Sequence, residues 1–569
     1  MPLCSSRSMS DICLCVVVAL CAAYAAHSAV ITFKNAYGIF FYCRTYFLKR
    51  ACIRCMNKLL RLFHTVRHLK FKQVFYRVFY MLRRALALRK FKVRYMKGRK
   101  LNIQDSISYS ESCSGKSFWF LNKKHSFKDE VDWNFSDYGR LWTYNLNYFE
   151  FVLQKNADLN NSITLISDYI KQRSHLCDGL ESYPISLRAI NWIKFVSQNS
   201  VPTELLMEMQ DFLSKDFSYL CRNIEYHLLG NHLLENGFAL LFGSYFFEDE
   251  TLYLKARKIL CSELQEQILQ DGAHFELSPM YHQIMLFRLL DCINLLQNNP
   301  WKEQELLEIV SRSAGKMLGW LNEVTFSNGD IPFVNDSVSG VAPTTAQLNE
   351  YALRLGVSSQ AVILKDSGYR VFRNQSFELF CDVGAIGPDY LPAHAHADTL
   401  SFVLYADEKP LIVDPGISTY EKNERRQLER STVFHNTVTV GDMNSSDVWG
   451  GFRVAKRARI SSLVEKKSFL EAAHDAFPHK RIWSIAEKSI TVVDTVDGFA
   501  TLHIHFYPTV TVQQESNSVI ANNYQIKFKC FDSCCVSSYD YCTGYNVLDK
   551  ACKVQIKFKN QLEWIITSQ

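Results

Sequence analysis

The hydrophobic pattern of this chain changes its period once, near residues 355 to 365, and that change limits the folds open to it. From 140 to 355 apolar residues recur at helical spacing. Leu205, Met209, Phe212, Leu213 and Leu220 mark one stripe, and "LLENGFALLFGSYFF", "LYLKARKILCSELQEQIL", "YHQIMLFRLLDCINLL" and "ELLEIVSRSAGKMLGWL" follow at comparable lengths. Such helices joined by tight turns pack as hairpins in a bundle, solenoid or toroid. No fixed period marks a sequence repeat. After Leu355, stretches such as "YRVFRNQSFELFCDVG", "KSITVVDTVDG" and "CKVQIKFKNQLEWII" alternate apolar and polar residues between turn signals. That grammar predicts many short antiparallel strands in a sandwich. A large polymeric ligand would lie in the groove between two such domains.

The length of 569 residues exceeds one compact core, and 48% hydrophobic residues supply apolar surface for several. The net charge of +7 hides a divided chain: residues 12 to 104 hold 20 Lys and Arg with no Asp or Glu, whereas 105 to 569 hold 43 basic and 56 acidic groups. An acidic body is no general polyanion binder. Nucleic acid is therefore not an expected partner, and an anionic substrate must meet locally placed cations. Seven of the 18 cysteines precede residue 56 and five lie between 530 and 552, which is not the density of a disulfide scaffold. "CIRC" (52 to 55) has metal-clamp spacing but no second pair at finger distance. Between Cys530 and Cys552 both pairing and reduction stay open.

Four regions follow. Residues 1 to 55 form an N-terminal extension whose apolar "ICLCVVVALCAAYAAHSA" reads as a poor signal or short anchor, or as an artefact upstream of a true start at Met56. Residues 56 to 104 read as a basic amphipathic helical arm, suited to a membrane surface or to packing on its own domain. Residues 105 to 360 form the helical domain and 361 to 569 the sandwich.

Four clusters carry residues able to do chemistry. "LPAHAHADTLSF" (391 to 402) sets His394, His396 and Asp398 at alternate positions, so an extended strand would line all three on one face. In "LLGNHLLENG", Asn231 and His232 meet a helical run, where Asn231 also reads as a plain N-cap. In "DGAHFELSPMYHQIML", Ser278 and Pro279 read as N-cap and first helical residue. Tyr281 and His282 then fall in the first turn, where free N–H groups ease a phenol toward phenolate; a half-buried structural tyrosine is the plainer reading. "LIVDPGISTYEKNERRQLERSTVFHNTVTVGD" adds Asp414, Arg430, His435 and Asn436. Two histidines and a carboxylate from separate strands make a zinc set, so these residues alone leave hydrolytic metal chemistry open.

Together with "RLWTYNLNYFEFV", "YPISLRAINWIKF", "NGDIPFVNDS", "IVDPGISTY" and "RSTVFHNTV", these clusters resemble, in this order, the heparinase II/III-like polysaccharide lyases over about residues 56 to 510. The resemblance implies a multidomain α + β fold, an incomplete α/α toroid followed by an antiparallel β-sandwich. It implies β-elimination on a uronic-acid polymer of glycosaminoglycan, alginate or capsular type. Asn231 and His232 would neutralise the substrate carboxylate, Tyr281 would act as base and acid, and His394 as its partner. A divalent metal, zinc before others and structural in role, would sit on His396, Asp414 and His435. His282 and Arg430 would contact substrate or support those that do. An acidic polysaccharide becomes the expected partner, and the cell envelope or periplasm the expected location.

Donors placed on the enolate formed by elimination are worth roughly 3 to 4 kcal/mol each. A two-carboxylate hydrolase would need paired acids facing the scissile bond, and no such pair accompanies the clusters. Two other readings remain: a metal-dependent hydrolase working through His394, His396, Asp414 and His435, and a non-catalytic glycan-binding protein of the envelope or of polysaccharide assembly. The oligomeric state is not legible.

Overall fold

The structure is a computed structural model that describes residues 56–86, 95–108, 110–302 and 304–568. The expectations for residues 1 to 55, a signal or anchor and the "CIRC" pair, lie outside the described residues. The chain divides into two compact units, residues 1–90 and 91–569.

In the first unit, helices span residues 56–66 and Phe71–Ala85. The helical arm expected over 56 to 104 is thus shorter than its basic stretch. Residues 95–108 carry no helix and run as an extended strap over the helical domain of the second unit. The strap is held by its backbone: Arg99 N–H donates to the Phe246 carbonyl, and Asn102 and Gln104 donate to the side chains of Asn299 and Asn294.

The second unit opens with a three-stranded sheet, Cys113–Ser114, Ser117–Phe120 and Lys123–Ser126, that the sequence reading did not foresee. The helices then follow, the longer ones being Ser182–Gln198, Thr203–Arg222, Gly230–Phe247, Glu250–Gln267, Pro279–Asn298 and Glu305–Val324. Short connections fold each back on its neighbour, as in an incomplete toroid. Gly230–Phe247 is apolar on all sides and every residue except His232 is buried, which marks it as an inner helix.

The last helix of this domain, Thr345–Arg354, ends in the predicted junction, and the first strand of the sandwich begins at Tyr369. Four antiparallel strands, Tyr369–Arg373, Phe377–Asp382, Phe402–Ala406 and Lys409–Ile412, face a ten-stranded sheet built around the long strands Ser489–His505 and Val547–Ser568. Phe377, Leu379, Phe402 and Leu404 pack into one core with Trp483, Leu502, Ile504 and Trp564. The strict alternation of Phe469–His474 is the pleat expressed as burial.

One sequence expectation fails here. Residues 391–401 are not a strand; pairing begins only at Phe402. The backbone finds partners outside a ladder: His396 N–H donates to Asn335 Oδ1, Ala397 N–H to the Arg430 carbonyl, and the His394 carbonyl accepts from Asp336 N–H. His394, His396 and Asp398 therefore do not share a pleated face. The described cysteines are all free thiols.

Candidate active site between helices and sheet

The inner helix starts at a forced turn. Leu229 and Gly230 both have positive φ, 67° and 60°, and a Cβ on Gly230 would come within 2.2 Å of Leu391 Cδ2 and 2.7 Å of Glu276 Oε1. Only glycine allows that approach. It delivers Asn231 to Glu276: the Asn231 backbone N–H donates to Oε1 at 3.0 Å, and Nδ2 to Oε1 and Oε2 at 3.1 and 2.9 Å. Asn231 is therefore not the N-cap of its helix. His232, the one residue of the helix that is only half-buried, lies against Tyr183 and places Nδ1 3.2 Å from Glu225 Oε1. Burial opposes its charge, yet Glu225, joined by Glu276 and Glu235, outweighs burial and raises the imidazole above its ordinary value.

Ser278 caps the helix Pro279–Asn298 as predicted, its hydroxyl accepting from Tyr281 N–H with proline at the first position. Tyr281 projects from the first turn toward the sheet domain. Its ring stacks on the His394 imidazole at 3.9 Å between centroids, and its hydroxyl lies 3.1 Å from that of Tyr420. The expected drift toward phenolate does not occur. Burial, then Tyr420, Asp336 and Glu276, push the phenol well above its ordinary value, so at rest Tyr281 is a neutral phenol. One helix terminus is outweighed by desolvation and two nearby acids.

Asp336 is the hub of the site. Its Oδ2 lies 2.9 Å from His394 Nδ1, its Oδ1 2.9 Å from His396 Nε2, and Arg426 clamps both oxygens at 2.6 and 2.7 Å. Burial works against this charge, but Arg426 and the two imidazoles hold the carboxyl well below its usual range. The far side of the His394 ring, Nε2, lies 3.3 Å from Glu276, the carboxylate that also holds Asn231. A continuous network thus joins Asn231, Glu276, His394, Asp336 and Arg426 across the two domains.

Asn231, His232, Tyr281 and His394 are brought to one locality. For His282 and Arg430 the geometry disfavours direct contact and leaves the supporting role. His282 is buried, takes the His274 N–H on Nδ1, faces the Met317 carbonyl with Nε2 at 2.9 Å and packs on Trp320, so it reaches no substrate. Arg430 is also buried and donates to the Ala395 carbonyl, bracing the loop that carries His394 instead of facing a ligand.

The expected metal set is only partly assembled. His435 Nδ1 is paired with Asp414 Oδ2 at 2.7 Å, and His396 Nε2 with Asp336. Their other ring nitrogens, His396 Nδ1 and His435 Nε2, are buried without hydrogen-bond partners, as is Asp398 Oδ2, and the two rings stand 5.3 Å apart. Two imidazole nitrogens and a carboxylate suit zinc in donor chemistry. Among the described residues, though, no three His, Cys, Asp or Glu side chains are arranged to hold an ion.

Sequence reasoning missed Glu225, Glu276, Asp336, Tyr420 and Arg426. Glu276 and Asp336 lie inside the motifs "DGAHFELSPMYH" and "NGDIPFVNDS". The available signal was an acid embedded in apolar surroundings, which is rare unless paired.

The chain matches the model of the heparinase II/III N-terminus over residues 181–357 and that of the heparinase II/III-like C-terminal domain over residues 357–559. It is 26% identical over 253 residues to a heparin-sulfate lyase of Bacteroides stercoris, covering 38% of this chain and 37% of that protein. It is 22% identical over 419 residues to a heparin-sulfate lyase of Pedobacter heparinus, covering 67% and 59%. The chain thus spans less than two thirds of the length of these relatives. A crystal structure of heparinase III superposes with a TM-score of 0.59 at 17% identity, covering 78% of each chain, and shares the fold. With the two family models matched one after the other over residues 181–559, this chain belongs to the heparinase II/III-like family.

Proposed function

We propose that this protein is a polysaccharide lyase that cuts a uronic-acid-containing glycan by β-elimination. The observation that carries the reading is the stack of Tyr281, from the helical domain, on His394, from the sheet domain, beside Asn231 and His232. The relatives named as heparin-sulfate lyases support an acidic glycan of the glycosaminoglycan kind as substrate.

The chemistry follows from the charges. His232, raised by Glu225, meets the substrate carboxylate as a cation, and the Asn231 amide, fixed by Glu276, offers a donor beside it. Both stabilise the enolate that forms when the carbon next to the carboxylate loses its proton. The resemblance gave Tyr281 both proton transfers; with its phenol neutral at rest we divide them, so that His394, oriented through Nδ1 by Asp336, takes that proton and Tyr281 gives its own to the departing glycosidic oxygen. The C–O bond breaks, a C=C bond forms, and no water is consumed.

A divalent metal belongs to the same proposal in a structural role. Of the expected set, His396 and His435 would hold it through their unpartnered nitrogens, with Asp414 orienting the His435 ring through Nδ1, bracing the loop behind His394. No proton transfer passes through it. The cell envelope or periplasm, where acidic glycans are met, is the proposed location, and cell fractionation tests it.

The function is tested by incubating the protein with heparan-, chondroitin-, alginate- and capsule-type polymers and weighing the products by mass spectrometry. Fragments lighter by one water than intact oligosaccharides are expected. Fragments of intact mass mean hydrolysis, and saturable binding without any product means a glycan-binding protein; either result overturns the proposal.

A further inference from the structure

The helix Phe71–Ala85 is amphipathic in the wrong sense for a helix that packs on its own protein. Its two buried residues are Gln73 and Tyr80, seven apart and therefore on one face. Phe71, Val74, Phe75, Val78 and Leu82 follow the i, i+3, i+4, i+7 spacing along the opposite face, with Phe79 at its margin. Those six are exposed by 83, 41, 49, 45, 51 and 43%, respectively. Apolar side chains on an ordinary water-facing helix are scattered singly; a continuous stripe of this size marks an interaction surface. The preceding helix, 56–66, adds Met56, Leu60 and Phe63, each about half exposed or more.

The charge identifies what covers it. Residues 56–86 contain eight Lys and Arg and no Asp or Glu, within a stretch from 12 to 104 that has no acid at all. Lys72 and Arg83 border one side of the apolar stripe, and Arg77 and Arg84 lie beyond the other. An apolar face bordered by cations alone suits the headgroup region of a bilayer that carries anionic lipid, with the aromatic and aliphatic side chains at the acyl boundary and the cations at the phosphates. Among the described residues no helix is long and apolar enough to cross a membrane, so this element would lie on the surface.

We propose that residues 56–86 form an interfacial anchor that holds the protein on an anionic membrane surface through the Phe71–Ala85 helix. The proposal is independent of the lyase reading, since vesicle binding needs no glycan and no catalytic residue.

The test is co-sedimentation of the full chain with phosphatidylcholine vesicles, with and without about 30% phosphatidylglycerol. Binding is expected to the anionic vesicles only, and to weaken about tenfold or more on raising salt from 0.1 to 0.5 M, where the screening length falls to a few ångströms. The double variant Phe75→Glu/Phe79→Glu should lose binding while its thermal unfolding stays unchanged. The milder Phe71→Ala/Phe75→Ala should weaken binding about tenfold or more, because each aromatic ring withdraws substantial apolar area from water. Equal binding to neutral vesicles overturns the electrostatic part, and full binding by both variants overturns the role of this helix. Lipid-free self-association that the same variants abolish means that a second copy covers the face, and the proposal falls.

Discussion

Asp336→Asn is the perturbation that the structure makes most severe for the smallest change in shape. The carboxylate accepts four bonds within 3.0 Å, two from Arg426 and one each from His394 and His396, and all of these side chains are buried. An amide keeps one oxygen. Whichever side receives the NH2 group loses one guanidinium bond and one imidazole bond and faces donors with donors. Removing one partner of a buried pair and leaving the other charged costs about 3–5 kcal/mol, a large share of the roughly 5–15 kcal/mol that holds a folded domain. Urea unfolding followed by tryptophan fluorescence at pH 7 should show that loss. Amide exchange at Ala395 and Ala397 should accelerate, because Arg426 and both histidines hold that loop through Asp336. Adding Arg426→Met should recover at least about half of the loss, since the stranded guanidinium is the larger part of it. A single-variant cost below about 1 kcal/mol, or no recovery in the double variant, would refute the hub.

Burial holds the imidazoles of His274 and His396 down to about 4, and those of His282, His474 and His503 down to about 3, so the fold keeps them neutral. Their contribution is complete above the unfolded value near 6.5 and falls by about 1.4 kcal/mol per imidazole per pH unit below it, whereas Asp336 loses nothing until far lower pH. Urea midpoints should therefore drop steeply from pH 7.5 to 5.5, and equal midpoints would contradict this. Glu225→Gln removes the charge that raises His232, so the alkaline limb of the kcat/KM profile should move to lower pH; an unmoved limb would show that His232 does not act as a cation. Gly230→Ala drives a Cβ into Leu391 and Glu276 and should cost about 100-fold in activity through a displaced Asn231, while Gly115→Ala, with nothing within 4 Å of its Cβ, should keep full activity.

The change of hydrophobic period near 355 to 365 announced both domains, because helix and strand bury side chains at different spacings. The Ser278-Pro279 cap was legible for a similar reason: proline and a short hydroxyl side chain solve the local problem of a helix start. The shared extended face expected for His394, His396 and Asp398 was not, since alternating histidines look pleated while Asn335 and Arg430, distant in sequence, supply the backbone partners that bend them into a loop. The depressed carboxyl of Asp336 and the raised phenol of Tyr281 were out of reach because both depend on which charges the fold brings within a few ångströms. Which of their two roles His282 and Arg430 take was out of reach for that reason too: their sequence positions beside Tyr281 and near His435 gave no sign that their polar atoms turn inward to backbone carbonyls.

The most direct measurement is the growth of ultraviolet absorbance from unsaturated uronate ends, compared between the native protein and Tyr281→Phe on the polymer that the native protein cuts. The variant keeps the ring that stacks on His394 and loses only the hydroxyl, whose partner in the structure is Tyr420. A rate lower by about 100-fold or more, with unchanged unfolding, is the expected result, in the range that one positioned proton donor supplies. A variant that forms the same unsaturated ends within about tenfold of the native rate would contradict the assignment of Tyr281 and the elimination chemistry built on it.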